Sequence, residues 1–163
     1  MPMSTQITLE INGYKRNILG YEYGFNRNTD YRGMPTTGIL GGDIYVVMEA
    51  DEGSEILEMM LADMGKPYLC FFLRSEPLPV RGKIRHNIND AMFREIAFDE
   101  AYLYYYEEGM SADASLPMIT RFLISPTRLD INRTVKLDRR VDTTYGFWWE
   151  EYKEEEKVSI RLF

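Results

Sequence analysis

The chain of 163 residues has one cysteine, Cys70, and one histidine, His86. A single cysteine excludes an internal disulfide, and one cysteine with one histidine cannot supply the four ligands of a structural zinc site. His86 lies among charged and polar residues without a Gly-x-Ser-x-Gly motif in the chain, so we interpret it as a solvent-facing strand residue and not as a catalytic base. Cys70 lies in an apolar run and is expected to be buried.

Basic residues and long hydrophobic runs are also scarce. Lys and Arg total 19 against 26 Asp and Glu, which gives a net charge of -7 at pH 7. An acidic surface repels a phosphate backbone, so we expect no nucleic-acid partner. No stretch is long enough for a membrane-spanning helix, and Met1–Thr5 has neither the basic nor the apolar part of a secretory signal. We therefore expect no membrane insertion, a cytoplasmic origin, and export only by a machine that does not read signal peptides.

Aromatic and β-branched residues are abundant and follow strand patterns. Aromatics make up 13% of the chain, and flat side chains favour pleated surfaces. Residues 6–11 alternate between apolar and polar, and Asn12-Gly13 supplies the positive-φ positions of a tight hairpin turn. Gly20 or Gly24 is expected to mark a bulge in the second strand. Further strands are predicted at Asp43–Ala50, Tyr68–Leu73, Arg81–Ile88, Phe93–Glu107 and Pro117–Ser125, with Arg81–Ile88 at an edge or facing water.

One short helix is predicted at about residues 54–64. Ser54 is a plausible N-cap, and Gly65 is placed to terminate the helix in the left-handed conformation. The helical spacing predicts a buried stripe of Ile56, Leu57, Met60, Leu61 and Met64. Seven to nine short strands with this helix predict a mainly β protein, a β-barrel or sandwich with one short α-helix attached.

The composition changes after Asn132. Residues 133–137 can add a strand, residues 145–149 form an aromatic cluster, and residues 150–157 are a charge run typical of a solvated helix or linker. We therefore divide the chain into a barrel domain, residues 1–132, and a C-terminal extension, residues 133–163. The extension is expected to dock on the barrel or on a neighbouring subunit.

A long polar loop, rich in glycine and with one proline, separates the second strand from the strand at Asp43. Loops of this length in a small domain are usually functional or disordered. The Gly38–Gly42 segment precedes a strand and has no lysine at the required place, whereas a phosphate-binding loop precedes a helix. The loop therefore predicts neither a phosphate site nor catalysis.

Adjacent carboxylates are the remaining candidates for catalysis. Asp99-Glu100 and Glu107-Glu108 could be considered for glycoside hydrolysis, which uses two converging carboxyl groups. Neighbours on a strand point to opposite faces, so we interpret these pairs as surface charge. The run Tyr104–Tyr106 is either a stacking platform for sugars or bases, or a strand with alternate rings in the core and in an interface. We expect no enzyme, cofactor or metal.

The loop and its surroundings carry a series of motifs. Two aromatic residues precede the loop, and Asp, Gly and Pro lie within it. A pair of glycines follows, at the start of a strand, and a short aliphatic helix comes after that strand. These residues are Tyr23, Phe25, Asp30, Gly33, Pro35, Gly38, Gly41, Gly42, Ile44, Ile56, Leu57 and Met60. Ile96–Tyr102 adds an apolar-x-Phe-x-x-Ala-Tyr pattern, and Met118–Ser125 a long strand. Over about residues 5–132, this order resembles the haemolysin-coregulated protein (TssD) family, the tube-forming proteins of type VI secretion systems, in its Bacteroidota form.

Three features depart from the family pattern. Met34 stands where a basic residue commonly precedes the proline, Met59 stands where a tryptophan is common, and the tail beyond Asn132 is longer than expected. The first two affect residues that could contact neighbouring subunits. The third suggests a specialised paralogue.

The resemblance implies β-barrel protomers that assemble six to a ring, with rings that stack into a hollow tube. The implied partners are further copies of the chain, a spike protein, a contractile sheath and effector cargo. The loop is assigned to ring stacking because stacking needs an extended element on one ring face. The predicted stacking residues are Asn28, Thr29, Asp30, Tyr31, Arg32, Gly33, Met34, Pro35, Thr36 and Thr37.

Two other functions remain open at this point. A small-ligand-binding β-barrel is the second interpretation, because the many tyrosines and methionines could line a cavity. A hydrolase that uses paired carboxylates such as Asp99 and Glu107 is the third. A ring of about six subunits favours the tube, whereas a monomer with an apolar cavity favours the binding protein.

Overall fold

The computed structural model describes residues 2–64, 76–139 and 148–151. This part of the chain contains eleven strands and one helix, so the predicted mainly β class with a short helix is confirmed. The predicted strand Tyr68–Leu73 and Cys70 lie outside the described residues. The elements are β1 (Thr5–Ile11), β2 (Tyr14–Asn17), β3 (Gly20–Asn26), β4 (Leu40–Glu49), α1 (Glu55–Leu61), β5 (Asp63–Met64), β6 (Glu76–Pro77), β7 (Val80–Ile88), β8 (Ala91–Gly109), β9 (Ile119–Ile131), β10 (Val135–Asp138) and β11 (Glu150–Glu151).

Nine strands form one antiparallel sheet, and β5 pairs with β6 separately. The sheet order is β11-β10-β9-β8-β7-β1-β2, while β4 pairs with the first half of β9 and β3 pairs with β4. Within the described part of the chain, the strand pairing does not close the sheet into a complete barrel. At the corner between β2 and β3, the Ile18 N–H donates to Ile7 O and the Leu19 N–H donates to Val47 O, each at 2.9 Å. The two strands therefore form one bent strand that follows β1 and then β4.

Alternate residues of these strands meet in one core. Residues 81–88 were predicted to lie at an edge of the sheet or to face water. The edge position is wrong, because β7 lies between β1 and β8, whereas one face of the strand is exposed to water. Its Val80 and Ile84 are buried in the core, while the exposed Arg81 and Arg85 lie on its other face. Each fully buried aliphatic side chain contributes about 1.5–3 kcal/mol to stability. The branched aliphatic residues with no exposed surface are Leu9, Ile11, Ile44, Val46, Ile84 and Ile124.

The predicted turn signals are confirmed where local chemistry determines the backbone. Asn12 and Gly13 both have positive φ, 46° and 83°, as a tight hairpin between β1 and β2 requires. The register between β3 and β4 shifts between Tyr23 and Phe25, which places the predicted bulge at Gly24.

Helix α1 is shorter than the predicted span of 54–64. It ends at Leu61, after which Ala62 is extended, with φ -71° and ψ 123°. Ser54 occupies the N-cap position, but its hydroxyl donates to the Glu58 carboxylate at 2.8 Å and makes no cap bond to a backbone N–H. The side-chain bond within the first turn thus replaces the predicted cap.

The buried face of α1 also differs from the predicted stripe. Ile56 is buried, and Met59 and Met60 pack against the core. Leu61 is 69% exposed, and Leu57 is only half-buried. The helix therefore covers the sheet mainly through Ile56 and two flexible methionines.

A buried carboxylate, Glu95 on β8, joins two strands to the following turn. Its side chain accepts hydrogen bonds from Arg85 Nε at 2.7 Å and from Arg133 Nε at 3.4 Å. Its backbone N–H donates to Asn132 Oδ1 at 2.8 Å. The hydrogen bond from Arg85, helped by Arg133, holds the pKa of Glu95 below its usual range despite the opposing effect of burial.

This lowered pKa predicts an acid-dependent contribution to stability. Since folding lowers the pKa, the ionised carboxylate stabilises the protein above the ordinary glutamate pKa, and the contribution is lost as the pH falls through the folded-state value. We expect Glu95→Gln to lower the free energy of unfolding at pH 7 by about 1–3 kcal/mol. The deficit should shrink when both proteins are unfolded by urea below pH 4.

The exposed Glu22 on β3 provides the matched control. We expect Glu22→Gln to leave the free energy of unfolding nearly unchanged at both pH values. A pH-independent deficit in Glu95→Gln would show that the substitution disturbs packing and not the ion pair.

Candidate functional site

The predicted loop is an ordered hairpin that projects beyond the sheet. The paired residues of β3 and β4 end at Asn26 and Leu40. The hairpin continues through an antiparallel bridge between Thr29 and Pro35 and through a hydrogen bond from the Thr36 N–H to Asn28 O at 2.7 Å. We call residues 27–39 the β3–β4 hairpin.

Asp30 organises the tip of this hairpin. Its Oδ1 accepts hydrogen bonds from the backbone N–H groups of Arg32 at 2.8 Å and Met34 at 3.0 Å. The Asp30 N–H donates to Met34 O at 2.9 Å, and Gly33 has φ +81°, a conformation that favours glycine. A tip that is already ordered loses less conformational entropy when it docks.

The tip exposes large side chains to solvent. Tyr31 is 89% exposed and Met34 is 66% exposed. The Arg32 guanidinium lies 5.2 Å from the centre of the Tyr31 ring. Tyrosine, methionine and arginine are the residue types that protein interfaces enrich, so the tip has the composition of a docking surface.

Trp149 braces the base of the hairpin. Its side chain is buried, its backbone N–H donates to Ile39 O at 2.9 Å, and its Nε1 donates to Gly41 O at 2.7 Å. Phe25 contacts the indole edge-on, with ring centres 6.4 Å apart. Gly42 has φ +87°, and a methyl group there would lie 2.6 Å from Trp149 Nε1. The absence of a side chain at Gly42 therefore leaves room for the indole.

A polar cluster holds the other side of Trp149. The Arg139 guanidinium lies 4.5 Å from the indole centre, and its Nη2 donates to Ser125 Oγ at 2.7 Å. The same guanidinium lies 3.5 Å from Asp43, which accepts a hydrogen bond from the Tyr104 hydroxyl at 2.9 Å. Burial and the bond to Asp43 raise the pKa of Tyr104 to about 12, so the phenol stays a donor into the alkaline range. These contacts connect the base of the hairpin to β8 and β9.

His86 is not the solvent-facing residue that the sequence predicted. It is half-buried, and its Nδ1 lies 3.3 Å from the Tyr21 hydroxyl. Its ring meets Tyr21 and Phe93 edge-on, at centre distances of 5.9 and 5.4 Å. Its Nε2 is buried and has no hydrogen-bond partner in the described part of the chain. This aromatic environment is typical of a packing residue.

The paired carboxylates do not converge on a common point. Glu107 accepts a hydrogen bond from the Tyr105 hydroxyl at 2.8 Å, whereas Glu108 accepts one from the Tyr106 hydroxyl at 2.5 Å. Asp99 lies 3.6 Å from Arg81 Nε. Among residues 2–64, 76–139 and 148–151, no group of three or more His, Cys, Asp or Glu is placed to hold a metal ion. No helix in these ranges is long and apolar enough to cross a membrane.

The depression nearest to the hairpin offers little to a small ligand. A depression of about 380 Å³ beside the base of the hairpin is open to solvent, and in the described part of the chain the inside of the sheet is filled by the core. The depression is lined by Phe25, Asn26, Arg27, Ile39, Val135 and Leu137. The geometry thus favours a protein surface over an enclosed binding site.

Comparisons with known proteins agree with the sequence motifs. The family model described as "Hemolysin coregulated protein Hcp (TssD)" matches residues 3–140. The structure of Hcp1 from Flavobacterium johnsoniae is 25% identical, covers 78% of this chain and 94% of its own, and superposes with a TM-score of 0.62. Hcp1 from Salmonella typhimurium shares the fold at 9% identity, with 83% and 87% covered and a TM-score of 0.57. No curated protein matches the chain.

The family match includes the β3–β4 hairpin, the glycine pair at its base and ten of the eleven described strands in full. The structural similarity to the Flavobacterium protein extends over most of the chain, and it confirms the resemblance to the Bacteroidota form. On this sequence and structural evidence, the chain belongs to the haemolysin-coregulated protein family, TssD, whose members are structural tube subunits.

Proposed function

We propose that this chain is the protomer of a type VI secretion tube, in which six copies form a ring and rings stack into a hollow tube. The single observation that carries the proposal is the family match over residues 3–140. The structure supports it with a curved sheet and an ordered hairpin that projects beyond that sheet. A structural subunit of this kind needs no catalytic group.

We assign ring stacking to the β3–β4 hairpin, and within it to residues 28–37. Its internal hydrogen bonds fix the backbone, while Tyr31 and Met34 remain exposed on the isolated protomer. Exposed apolar residues on a rigid projection favour association. Their burial against a partner lowers the free energy, and an already ordered backbone loses little conformational entropy. The hairpin thus has the properties that a contact between rings requires.

Further partners follow from the family and not from any contact seen in this chain. They are the spike protein at the tip of the tube, the contractile sheath around it, and effectors carried in the lumen. The tube would be made in the cytoplasm and delivered by the secretion machine to the medium or to a target cell. The extension from residue 133 would contribute to the subunit through Trp149, which packs on Gly42.

Imaging of the purified protein tests the proposal. We expect mass photometry to show a dominant species of six subunits, and negative-stain images to show rings and short stacks. A protein that stays monomeric at every concentration tried would overturn the tube assignment. Saturable binding of a small apolar ligand by that monomer would instead support the ligand-binding alternative.

A further inference from the structure

The depression of about 380 Å³ beside the base of the β3–β4 hairpin has an apolar lining that the described residues leave open to solvent. Phe25 and Ile39 line it at the hairpin base, and Val135 and Leu137 line it on β10. Val135 is 45% exposed and Phe25 is 36% exposed. Covering apolar surface of this kind lowers the free energy, so the depression is a candidate docking surface.

Strand β11 carries the chain to the edge of this depression. Trp149 pairs with Ile39, and Glu151 pairs with Leu137, so both neighbours of the short strand line the depression. Because β11 is antiparallel to β10, it points along β10 toward Val135, which its pairing does not reach. The segment that follows Glu151 therefore begins beside the depression.

The sequence of residues 152–163 fits such a surface. A charged stretch, Tyr152–Lys157, is followed by the largely apolar stretch Val158–Phe163. Val158, Ile160 and Leu162 alternate with other residues, so they share one face when the chain is extended. The six residues of the charged stretch can span roughly 20 Å. The apolar stretch can therefore reach every side of the depression.

We propose that residues 158–163 dock on this depression in their own chain. The face formed by alternate aliphatic residues covers Phe25 and Val135, and the acidic residues 154–156 lie near Arg27, which also lines the depression. The inference concerns a single protomer and does not depend on the formation of rings.

A contact within one chain is favoured over a contact with a neighbouring copy. The pairing of β11 with β10 and the buried Trp149 hold the start of the segment beside the depression. A short tether gives an effective concentration in the millimolar range, whereas a segment from another copy binds only at the concentration of the protein. A modest apolar contact is therefore sufficient for docking within the chain.

Charge orients the docked segment. Arg27 is exposed and makes no ion pair with another described residue, and three consecutive glutamates precede the apolar stretch. Exposed ion pairs contribute little to stability, so burial of the aliphatic residues supplies most of the affinity. Because Phe25, Arg27 and Ile39 lie at the base of the β3–β4 hairpin, the docked segment would also brace the hairpin.

Cross-linking within one chain tests the docking. In a Cys70→Ser background, Val135→Cys is combined with Ser159→Cys and treated with a short bis-maleimide, and mass spectrometry measures the internally linked chain. Ser159→Cys leaves the three alternate aliphatic residues in place. The matched control is Lys136→Cys with Ser159→Cys, because Lys136 is the next residue of β10 and points to the opposite face. We expect roughly tenfold more internal product from the Val135 pair.

Each outcome of the cross-linking has one meaning. A large excess of internal product at position 135 supports the docking. Equal yields from the two pairs would show that the segment samples both faces of β10, and would overturn it. Val135→Cys and Ser159→Cys are also mixed as separate proteins, and a covalent dimer in place of internal product would assign the depression to a neighbouring copy. Mass photometry reports ring formation separately, so lone protomers with internal product would overturn the tube assignment alone.

The accessibility of position 135 gives a second readout. In a protein with Val135→Cys and Cys70→Ser, Ile160→Asp should raise the rate of maleimide labelling roughly tenfold, because a carboxylate is costly to bury and the segment would leave the depression. Ser159→Asp is the matched control, since it adds the same charge one residue away on the opposite face and should leave the rate unchanged. Circular dichroism checks that both variants remain folded. An unchanged rate in Ile160→Asp, or an equal increase in both variants, would refute the apolar contact.

Discussion

Replacing residues 28–37 by the dipeptide Asn-Gly is expected to leave the protein folded and to abolish ring stacking. The bonds that order the hairpin lie within it, including those that Asp30 accepts from the tip and the one from the Thr36 N–H to Asn28 O. The pairing of β3 with β4 ends before this segment, at Asn26 and Leu40. With Asn26 still opposite Leu40, Asn-Gly and Gly38 form a three-residue loop containing glycine, which is a common hairpin connection. Ring stacking should be affected much more than the stability of the fold, because the deletion removes the whole exposed tip.

Three measurements on this deletion variant separate folding from assembly. Circular dichroism and the unfolding midpoint should remain close to those of the parent, mass photometry should still show rings, and negative-stain images should lack stacks. Tyr31→Ala with Met34→Ala is the milder matched variant, because it keeps the hairpin backbone and removes only its apolar surface. Unaltered tubes in the deletion variant would refute the assignment of stacking to residues 28–37.

The sequence predicted those parts of the fold that are determined within a few residues. The Asn12-Gly13 turn and the bulge at Gly24 follow from backbone preferences that act locally. The mainly β class follows from alternation and aromatic content, which sum over many residues. These signals need no knowledge of which strands become neighbours.

The predictions that were wrong depended on contacts between distant segments. Polar residues 81–88 suggested an edge strand, yet Val80 and Ile84 are enough to hold β7 in the middle of the sheet. The Arg85–Glu95 ion pair was not predicted, because a register shift between His86 and Asn87 is needed to place Arg85 opposite Glu95. A hairpin register counted from the turn at Asn89 would have paired Glu95 with Ile84.

The sequence predicted which segment forms the candidate site, but it did not predict the structure of that segment. The loop at residues 28–37 was identified from its length and glycine content, whereas its ordered tip depends on Asp30. An aspartate followed three residues later by glycine is a turn signal that could have revealed this order. The contact between Trp149 and Gly42 joins segments more than one hundred residues apart, so no local pattern predicts it.

Trp149→Ala is expected to lower the free energy of unfolding by about 3–5 kcal/mol. The substitution empties a buried site between Gly42 and Arg139, and it removes the bond from Nε1 to Gly41 O. Loss of the indole also loosens the base of the β3–β4 hairpin, because Phe25 loses its ring contact. Urea unfolding measures the loss of stability, and negative-stain imaging at matched folded concentration measures the expected reduction in stacks.

Gly42→Ala provides the complementary test, because it should act mainly by displacing the same indole. Gly13→Ala is its matched control: φ is similar, +83° against +87°, and a methyl group at Gly13 meets no atom within 4 Å. Gly13→Ala should therefore cost only the backbone strain, about 1–2 kcal/mol, whereas Gly42→Ala should cost that strain and the clash. In a Trp149→Ala background, the cost of Gly42→Ala should fall to that of Gly13→Ala, since contacting residues are not additive. If the losses of unfolding free energy for Gly42→Ala and Trp149→Ala were fully additive, glycine would be needed at position 42 for its backbone conformation and not to make room for the indole.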